Sequence, residues 1–551
     1  MSEVAVAGPN DYSAAAGAQV AQGGGNAVDV ALAGMFAALV SEPGIVSLGG
    51  GGFVTVAGPG QAPVTIDGSV SMPGSGLPRS AFGRGLHPLH LGYAGGTDLD
   101  IGPGSVATPG TLVALEAAHR RFGLIPWAEV VQPAADLART GFRVGQAAGH
   151  YLSFSGEPLF GRDRAARAVL TAADGALVRT GDTIWAPELG DFLDLVIKEG
   201  SDALHRGEFA RALVAEMAAH DGLITLADLA DYRAVVRPAL VTRIDGWEWA
   251  TNPPPAVGGA VFAAMLLLLA GSGSPEPGIR PGPGELISVQ QAVLAHRAGH
   301  LDLAGSSGER ISAAERMIAG LAAAGSGWLG GSPSTVHVSA VDAAGLACAV
   351  TASSGYGAGV SVPGTGVWLN NCLGERELNR SGPHALAPGE RLISNMTPTI
   401  GRHHDGRVLA IGSPGSDRIS TAVLQVVLGL LAGESLSRAI EAPRLHVSLD
   451  AGGRPVAVDY EADLTSVAVP APAPGSGVGP GSEVGLGSGV GLGSGVGPDR
   501  TLAPGLEWRE HRPHSMFFGG VAAALRGGDG RLEAAADPRR EGAVRITATQ
   551  P

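Results

Sequence analysis

The sequence predicts a mixed fold in which helices pack on sheets. Apolar, helix-like segments and alternating, strand-like segments recur in both halves of the 551-residue chain. A hydrophobic content of 45% is enough to fill a large core at this length. Because a helix and a sheet each have an apolar face to bury, such a mixture is expected to stack in layers.

The first part of the chain predicts a buried helix followed by a strand. Residues 26–41 are apolar on nearly all sides, as in a helix inside a core, and Pro43-Gly44 is a stop signal. The glycine run 49–52 then leads into the strand-like segment 53–56. A phosphate-binding loop has its glycines after a strand and before a helix, which is the inverse order. We interpret the glycines as positions where another backbone segment approaches closely.

Further helices and strands follow from end signals and periodicity. Residues 111–122 form a predicted helix with Thr108 as its N-cap, Pro109 as its first residue and Gly123 as its stop. The next expected elements are a helical turn at 226–232, a pair of strands within 241–251 and a buried helix at 258–269. Beyond them, strands are expected at 336–341, 346–351, 367–369 and 408–411, and a long helix at 421–431.

Residues 470–498 differ in composition from the rest of the chain. They are rich in Gly, Ser and Pro, and VGLGSG occurs twice in succession. Such a segment cannot bury enough apolar surface to order itself, so we predict a flexible insert. Strand-like sequence from Leu502 onward indicates that the insert interrupts a domain.

The charge balance excludes several classes of partner. The formal net charge is -14 and the isoelectric point is near 5.5, whereas nucleic acids and anionic membranes bind clustered positive charge. The first residues lack the basic and apolar regions of a secretory signal. The most apolar segment, 261–270, is far shorter than the roughly 20 residues of a membrane span. A cytoplasmic protein is therefore expected, with no nucleic-acid or membrane partner.

Cysteine and histidine give little indication of a metal site. With only Cys348 and Cys372, at most one disulfide and no cysteine-rich site can form. Cys348 lies in a strand-like run and is expected to be a small buried hydrophobe, whereas Cys372 is either a substrate-facing thiol or an ordinary packed one. His296 and His300 could share a helix face, but no third ligand is placed beside them, so no metal is predicted.

Thr335 heads a strand-like segment, and its hydroxyl is a candidate nucleophile. If the peptide bond before a threonine breaks, the freed α-amine can act as the base for the hydroxyl. His337 faces the same side of the strand, but we interpret it as a packed histidine because the base in this chemistry is the terminal amine. If the bond before Thr335 breaks in this way, the chain cuts itself before it becomes active.

Three segments could complete a site around this threonine. A turn of small residues precedes a helix, and the backbone N–H groups of Gly415 and Ser416 could stabilise an oxyanion there, although the turn could also be only a tight connection. Ser394 and Asn395 offer a hydroxyl and an amide before a strand. Glu375 follows an Asn-Asn pair closely enough to share a loop wall with it. We therefore expect these side chains to contact substrate.

Taken in order, these segments resemble the gamma-glutamyltranspeptidase family along nearly the whole chain. The matching motifs are GGNAVD at 24–29, LGGGGF at 48–53, TPGT at 108–111, DLADY at 228–232, PPP at 253–255, TVHVSAVD at 335–342, PGTG at 363–366, LNN at 369–371, MTPT at 396–399, GSPG at 412–415 and ADPRR at 536–540. So many ordered matches make the resemblance specific, whereas a single motif would not.

The resemblance implies an α+β fold, the four-layer αββα sandwich of N-terminal nucleophile hydrolases. It also implies a zymogen. Cleavage before Thr335 would give a large subunit, residues 1–334, and a small subunit, residues 335–551, which stay associated as a heterodimer. The Thr335 hydroxyl would then form an acyl-enzyme with a γ-glutamyl or related acyl group and pass it to water or an amine acceptor. No metal or organic cofactor is implied.

Departures from the family pattern lie on the substrate side. The family's Asp-Phe-Arg-Glu reads Asp67-Gly68-Ser69-Val70 here, so the arginine that grips the α-carboxylate of a γ-glutamyl group is missing. A charge-assisted hydrogen bond contributes roughly 1.5–3 kcal/mol, so γ-glutamyl binding should weaken by one or more orders of magnitude unless another arginine substitutes. Ser353 stands where a threonine usually steadies the nucleophile. The family's acidic pair after Asn-Asn is Gly374-Glu375 here. Its Ser-Ser pair is Ser394-Asn395, and the Gly-Gly pair of its oxyanion loop is Gly415-Ser416.

Three functions follow from these patterns. The first is an amidohydrolase or acyltransferase that acts on γ-glutamyl or related acyl amides. The second is the same machinery used on another dicarboxylic acyl side chain, as in cephalosporin acylases. The third is a relative that folds but neither cleaves itself nor turns over, such as a binding protein.

Overall fold

Two stacked antiparallel sheets lie between layers of helices in the computed structural model, which confirms the α+β, four-layer αββα fold. The structure describes residues 3–92, 96–172, 174–271, 279–320, 335–450, 453–464 and 499–548. The insert predicted at 470–498 and the residue before Thr335 lie outside the described residues.

The first sheet has seven strands and carries the candidate nucleophile. In spatial order they are Ala543–Ala548, Glu3–Gly8, Val336–Asp342, Ala347–Ser353, Gly51–Ala57, Val64–Gly68 and Val235–Pro238. All neighbours pair antiparallel. Strand Val336–Asp342, which follows Thr335, therefore lies inside the sheet, between one strand from the start of the chain and the strand that follows it in sequence.

The second sheet has six antiparallel strands and faces the first. In spatial order they are Leu532–Ala536, Ala522–Arg526, Val408–Gly412, Thr399–His403, Trp247–Thr251 and Leu240–Ile244. Small side chains fill the space between the sheets, with Ala5, Val341 and Ala349 of the first packed near Ala410 and Ala524 of the second. Short side chains here allow the two sheets to pack closely.

Helices cover the outer face of each sheet. Those nearest the first sheet are Asp11–Gln22, Ala27–Ser41, Thr111–Phe122, Trp127–Thr140, Gln146–Ser155, Arg164–Val169, Pro187–Glu199, Asp202–His205, Gly207–Ala219 and Leu226–Asp231. Those nearest the second sheet are Gly258–Gly271, Pro283–His300, Ser307–Gly320, Arg418–Leu431 and Leu436–Glu441. None of the helices in the described ranges combines the length and apolarity that a bilayer span requires.

Smaller elements connect these layers. A three-stranded sheet contains Leu445–Leu449, Pro455–Glu461 and Glu507–His511. Three two-stranded sheets pair His87–Leu91 with Thr97–Ile101, Phe142–Arg143 with Thr183–Ile184, and Ser361–Val362 with Val367–Trp368. Short 3-10 turns occur at Arg79–Ala81, Pro103–Ser105, Arg500–Leu502, Met516–Phe518 and Pro538–Arg540, and a π-turn at Gly156–Phe160.

The helices predicted at 26–41 and 111–122 are both present in the structure. Ala27–Ser41 is buried at every position and begins with a capping box between Asn26 and Asp29. Thr111–Phe122 has the predicted bounds, but its N-cap is Gly110 and the expectation of a Thr108 cap was wrong. The reason is that Thr108 exchanges backbone hydrogen bonds with Ser71, which holds it extended and away from the helix.

Candidate active site

Thr335 lines a cavity at the start of strand Val336–Asp342. Its side chain is only 4% exposed, and its hydroxyl donates to the Ser353 hydroxyl at 3.4 Å. Ser353 ends the neighbouring strand, and its hydroxyl also accepts from the Gly355 N–H at 3.3 Å. The two antiparallel strands thus bring the candidate nucleophile and its predicted support together from positions 18 residues apart.

The glycine run forms one wall of this cavity. A Cβ at Gly50 would lie 2.4 Å from the Ser353 carbonyl oxygen, and one at Gly51 would lie 2.6 Å from the Val70 nitrogen. Both distances are shorter than any real Cβ contact, so only glycine fits. The prediction of close backbone approach is confirmed, and the run positions Ser353 and the segment after Asp67.

The turn before helix Arg418–Leu431 lies on another side of the cavity. Gly415 has φ +124° and Ser416 has φ +62°, a left-handed conformation that is uncommon for serine. A Cβ at Gly415 would lie 3.0 Å from the Gly519 Cα. The Ser416 side chain lines the cavity, and its buried hydroxyl has no hydrogen-bond partner among the described residues. This geometry suits the predicted donor role of the turn, because strained backbone is typical of functional loops.

A buried ionic group that the sequence did not reveal supports this turn. Asp417 contacts His446 Nε2 at 3.1 Å and Arg418 Nη1 at 2.9 Å, and Arg418 donates from Nε to the Phe517 carbonyl at 2.6 Å. Burial tends to raise the pKa of Asp417, but the charges of Arg418 and His446 outweigh it and lower that pKa below its ordinary value. The carboxylate next to Ser416 is therefore ionised and fixed.

The remaining predicted residues line the same cavity. Its lining comprises Gly51, Ser69, Val70, Thr335, Ser353, Cys372, Glu375, Leu378, Ile393, Ser394, Asn395, Met396, Ser416 and Ile419. Of the residues predicted from sequence, Gly415 alone is not part of this lining, although its neighbour Ser416 is. The structure thus brings the candidates together, and their chemical roles stay predictions.

Cys372 and Glu375 share the loop side of the cavity. Burial and the neighbouring Glu375 carboxylate raise the pKa of the Cys372 thiol well above its ordinary value. Cys372 therefore faces the cavity as a protonated thiol, which agrees with the substrate-facing alternative. Cys348, in contrast, is fully buried in its strand, as expected.

Ser394 and Asn395 are positioned by the start of helix Gly258–Gly271. The Ser394 carbonyl accepts from the N–H groups of Val257 and Gly258 at 2.9 and 3.1 Å. A Cβ at Gly258 would lie 2.1 Å from the Asn395 carbonyl oxygen, so the segment packs directly on that helix. The buried Oδ1 of Asn395 has no partner within the described part of the chain.

Ser69 lies in the cavity wall where the family arginine is expected. Its carbonyl accepts from the Tyr232 hydroxyl at 2.5 Å and from Arg391 Nη1 at 2.8 Å. Arg391 also donates to the Arg233 carbonyl at 2.6 Å and is not part of the cavity lining. An arginine thus lies close to Ser69, but it holds the backbone and does not reach the cavity.

A second cavity touches Thr335 from another side. It is lined by Thr335, Val336 and His337 and by the buried side chains of Glu42 and Arg540. Burial raises the pKa of Glu42 to about 7, against the lowering effects of a hydrogen bond from Asn10 and the charge of Arg540. Sequence reasoning missed Glu42, although its place between the buried helix and the glycine run was a usable signal.

His337 is a packed histidine, as predicted. Its ring contacts Thr351 Oγ1 at 2.7 Å through Nδ1 and Ser339 Oγ at 2.8 Å through Nε2. Burial lowers its pKa to about 3, so the ring is neutral. A Cβ at Gly412 would lie 2.3 Å from the ring, so His337 fixes the spacing between the two sheets next to the turn.

Comparisons with known proteins agree with this geometry. The family model described as Gamma-glutamyltranspeptidase matches residues 13–280 and 289–547. A glutathione hydrolase proenzyme of Pseudomonas aeruginosa is 30% identical over 492 residues, which is 81% of this chain and 83% of that protein. An acylase ACY 1 proenzyme of a Pseudomonas species is 31% identical over 534 residues, 93% of each chain. The crystal structure of a cephalosporin acylase from Bacillus halodurans matches the fold with a TM-score of 0.74 at 20% identity, over 100% of this chain and 96% of that one. The chain belongs to the gamma-glutamyltranspeptidase family.

Proposed function

We propose that this protein is an autoprocessing threonine amidohydrolase or acyltransferase with Thr335 as its nucleophile. The observation that carries the proposal is the position of the Thr335 hydroxyl, which is hydrogen-bonded to the Ser353 hydroxyl in the wall of a cavity that Ser416 also lines. The names of the relatives, a glutathione hydrolase proenzyme and an acylase proenzyme, support an enzyme that is made as a precursor.

Processing begins with attack of the Thr335 hydroxyl on the carbonyl carbon of Ser334. The bond from that carbon to the Thr335 nitrogen breaks, the nitrogen takes up a proton, and the preceding chain is left as an ester on the threonine. Water then hydrolyses the ester to give a carboxylate on residue 334 and to restore the Thr335 hydroxyl beside its free amine. The products are residues 1–334 and 335–551, which remain together as a heterodimer.

Turnover uses the amine that processing exposes. The neutral α-amine accepts the proton of the Thr335 hydroxyl, and the oxygen attacks the carbonyl carbon of an amide substrate. The negative oxygen of the tetrahedral intermediate is stabilised by the N–H groups of Gly415 and Ser416. The leaving amine takes the proton, and water or an acceptor amine then releases the acyl group from Thr335.

The acyl group is a γ-glutamyl or chemically related group. Relatives described as glutathione hydrolase and as acylase support this breadth. A second candidate function is removal of another dicarboxylic side chain, as in cephalosporin acylases. It is favoured by the similarity to the acylase ACY 1 proenzyme, which extends over 93% of each chain.

Cleavage is tested by denaturing electrophoresis and intact mass of the purified protein. We expect two chains with masses that fit 1–334 and 335–551, and a single chain for Thr335→Ala. Thr140→Ala is the matched control, because Thr140 lies exposed at the end of another helix. A single uncut chain in the unmodified protein would refute the proposal and favour a non-enzymatic relative.

A further inference from the structure

We propose that the cavity beside Thr335 takes an acyl group that carries an amine and lacks a carboxylate. The inference rests on the proposed function, since it assumes that this cavity holds the acyl group. It adds the charge of the substrate, which follows from the side chains that surround the cavity.

The first observation is the charge of the lining. Among the residues that line the cavity, Glu375 is the only one with a charged side chain, and none is Lys, Arg or His. Glu375 is 4% exposed, so its carboxylate acts from a largely desolvated position. The lining therefore offers an acidic side chain and no basic one.

The second observation is that the arginines on neighbouring segments are engaged elsewhere. Arg391 donates to the Ser69 and Arg233 carbonyls. Arg376, next to Glu375 in sequence, forms a two-point ion pair with Asp100 at 2.8 and 2.7 Å. Arg418 pairs with Asp417 at 2.9 Å and lies over the Phe517 ring. If one of these arginines turned toward the cavity, the carbonyl or carboxylate group that it now contacts would lose its partner in a buried position.

The third observation comes from the sequence. The ranges 1–2, 93–95, 173, 272–278, 321–334, 451–452, 465–498 and 549–551 contain no Lys, Arg or His. Every cationic side chain of the protein therefore lies within the described residues. The α-amine that cleavage exposes on Thr335 is not a permanent counter-ion, because it must be unprotonated to act as the base.

These observations predict a strong preference by charge. A carboxylate in this cavity would lose its hydration, meet no cation and be repelled by Glu375. An amine would form a charge-assisted hydrogen bond with Glu375. The apolar walls, formed by Val70, Leu378, Ile393 and Ile419, suit the methylene groups between the amine and the scissile carbonyl.

Four nitroanilides with the same chain length separate the contributions of the two charges. The 4-aminobutyryl compound has the amine alone, the glutaryl compound the carboxylate alone, the γ-glutamyl compound both, and the butyryl compound neither. We expect kcat/KM to be highest for 4-aminobutyryl, by about 10-fold or more over γ-glutamyl, and lowest for glutaryl. Equal or faster hydrolysis of the γ-glutamyl or glutaryl compound would overturn the inference.

Two variants test the residues. Glu375→Gln should lower the ratio of kcat/KM for 4-aminobutyryl to kcat/KM for butyryl by about 10-fold or more, because only the former substrate has a charge that the carboxylate can bind. Ser69→Arg should raise kcat/KM for glutaryl by a similar factor. Glu188→Gln removes the same charge from an exposed helix start and is the matched control.

The outcomes distinguish this inference from the proposed function. A protein that is cut before Thr335 and hydrolyses the carboxylate compounds best refutes the charge preference but keeps the enzyme. A protein that is uncut, or cut and inactive on all four compounds, overturns the proposed function and this inference with it. Because the comparison uses the unmodified protein, it stands even if a variant does not fold.

Discussion

The Thr335 hydroxyl donates to the Ser353 hydroxyl across two antiparallel strands at 3.4 Å. This distance is longer than an ordinary O–H···O bond, and catalytic hydrogen bonds often tighten only when substrate binds. In the proposed mechanism this contact orients the Thr335 hydroxyl before the α-amine is available as a base, so it should affect both processing and turnover.

Removing the Ser353 hydroxyl should slow both steps. A net hydrogen bond contributes about 0.5–1.5 kcal/mol, so Ser353→Ala should lower the rate of self-cleavage and kcat by roughly 2- to 12-fold. Ser353→Thr keeps the hydroxyl and should retain most of the rate. A time course of cleavage after refolding measures the first step, and anilide release measures the second. Equal rates in the alanine variant would show that Ser353 has no orienting role.

The left-handed conformation of Ser416 predicts a separation of stability from activity. Ser416→Gly should raise the free energy of unfolding by up to about 1 kcal/mol, since glycine adopts φ +62° without a steric cost. If the backbone N–H is the oxyanion donor, kcat should be retained in this variant. Urea unfolding and steady-state kinetics check the two parts. A large loss of kcat would instead assign the role to the Ser416 hydroxyl.

Breaking the buried group behind the turn should be costly. Asp417→Asn leaves Arg418 and His446 facing a neutral amide in a buried site, so we expect a loss of about 3–5 kcal/mol in the free energy of unfolding. Asp405→Asn is the control, because Asp405 forms a partly exposed ion pair with Arg407 and should cost no more than about 1 kcal/mol. Urea titration of both variants gives the comparison. Similar losses in the two would contradict a supporting role for Asp417.

His337 should make stability depend on acid pH. Its pKa is about 3 in the folded protein and near the ordinary 6.5 when unfolded, so the unfolded chain binds more protons between these values. The free energy of unfolding should therefore fall as pH decreases from 6.5 toward 3, with His337 contributing up to about 1.4 kcal/mol per pH unit. His337→Gln should reduce this slope, and exposed His300→Gln should not. Urea unfolding at a series of pH values measures the slope, and an unchanged slope would exclude His337 as its source.

Local sequence signals predicted the elements well and their ends less well. The bounds of Thr111–Phe122 could be predicted because stop signals act within a few residues. Its cap could not, because the pairing of Thr108 with Ser71 depends on a segment 37 positions away. The glycine run was interpreted correctly because the order of glycines and strand is a local property.

Sequence motifs predicted the side chains with reactive or polar groups that line the candidate site. They could not predict the contacts that form only when distant segments pack together. Thr335, Ser353 and Glu375 lie at one cavity as the motifs indicated. The pairing of Asp417 with His446 joins a helix start to a separate strand, and nothing local indicates it. The engagement of Arg391 by the Ser69 carbonyl is likewise a tertiary contact, so sequence alone could not say whether an arginine replaces the missing one.

The order of strands in the first sheet has a consequence for the proposed cut before Thr335. One strand from residues 1–334, Glu3–Gly8, lies between two strands from residues 335–551, Ala543–Ala548 and Val336–Asp342, and Ala347–Ser353 pairs in turn with Gly51–Ala57. Both products would therefore contribute strands to this sheet and residues to the same hydrophobic clusters, so neither product would hold a complete core of its own. Cleavage would break one peptide bond in a sheet that is already assembled, and every strand would keep the neighbours it had before. Two genes that encode the pieces separately should yield active protein only if the pieces fold in each other's presence.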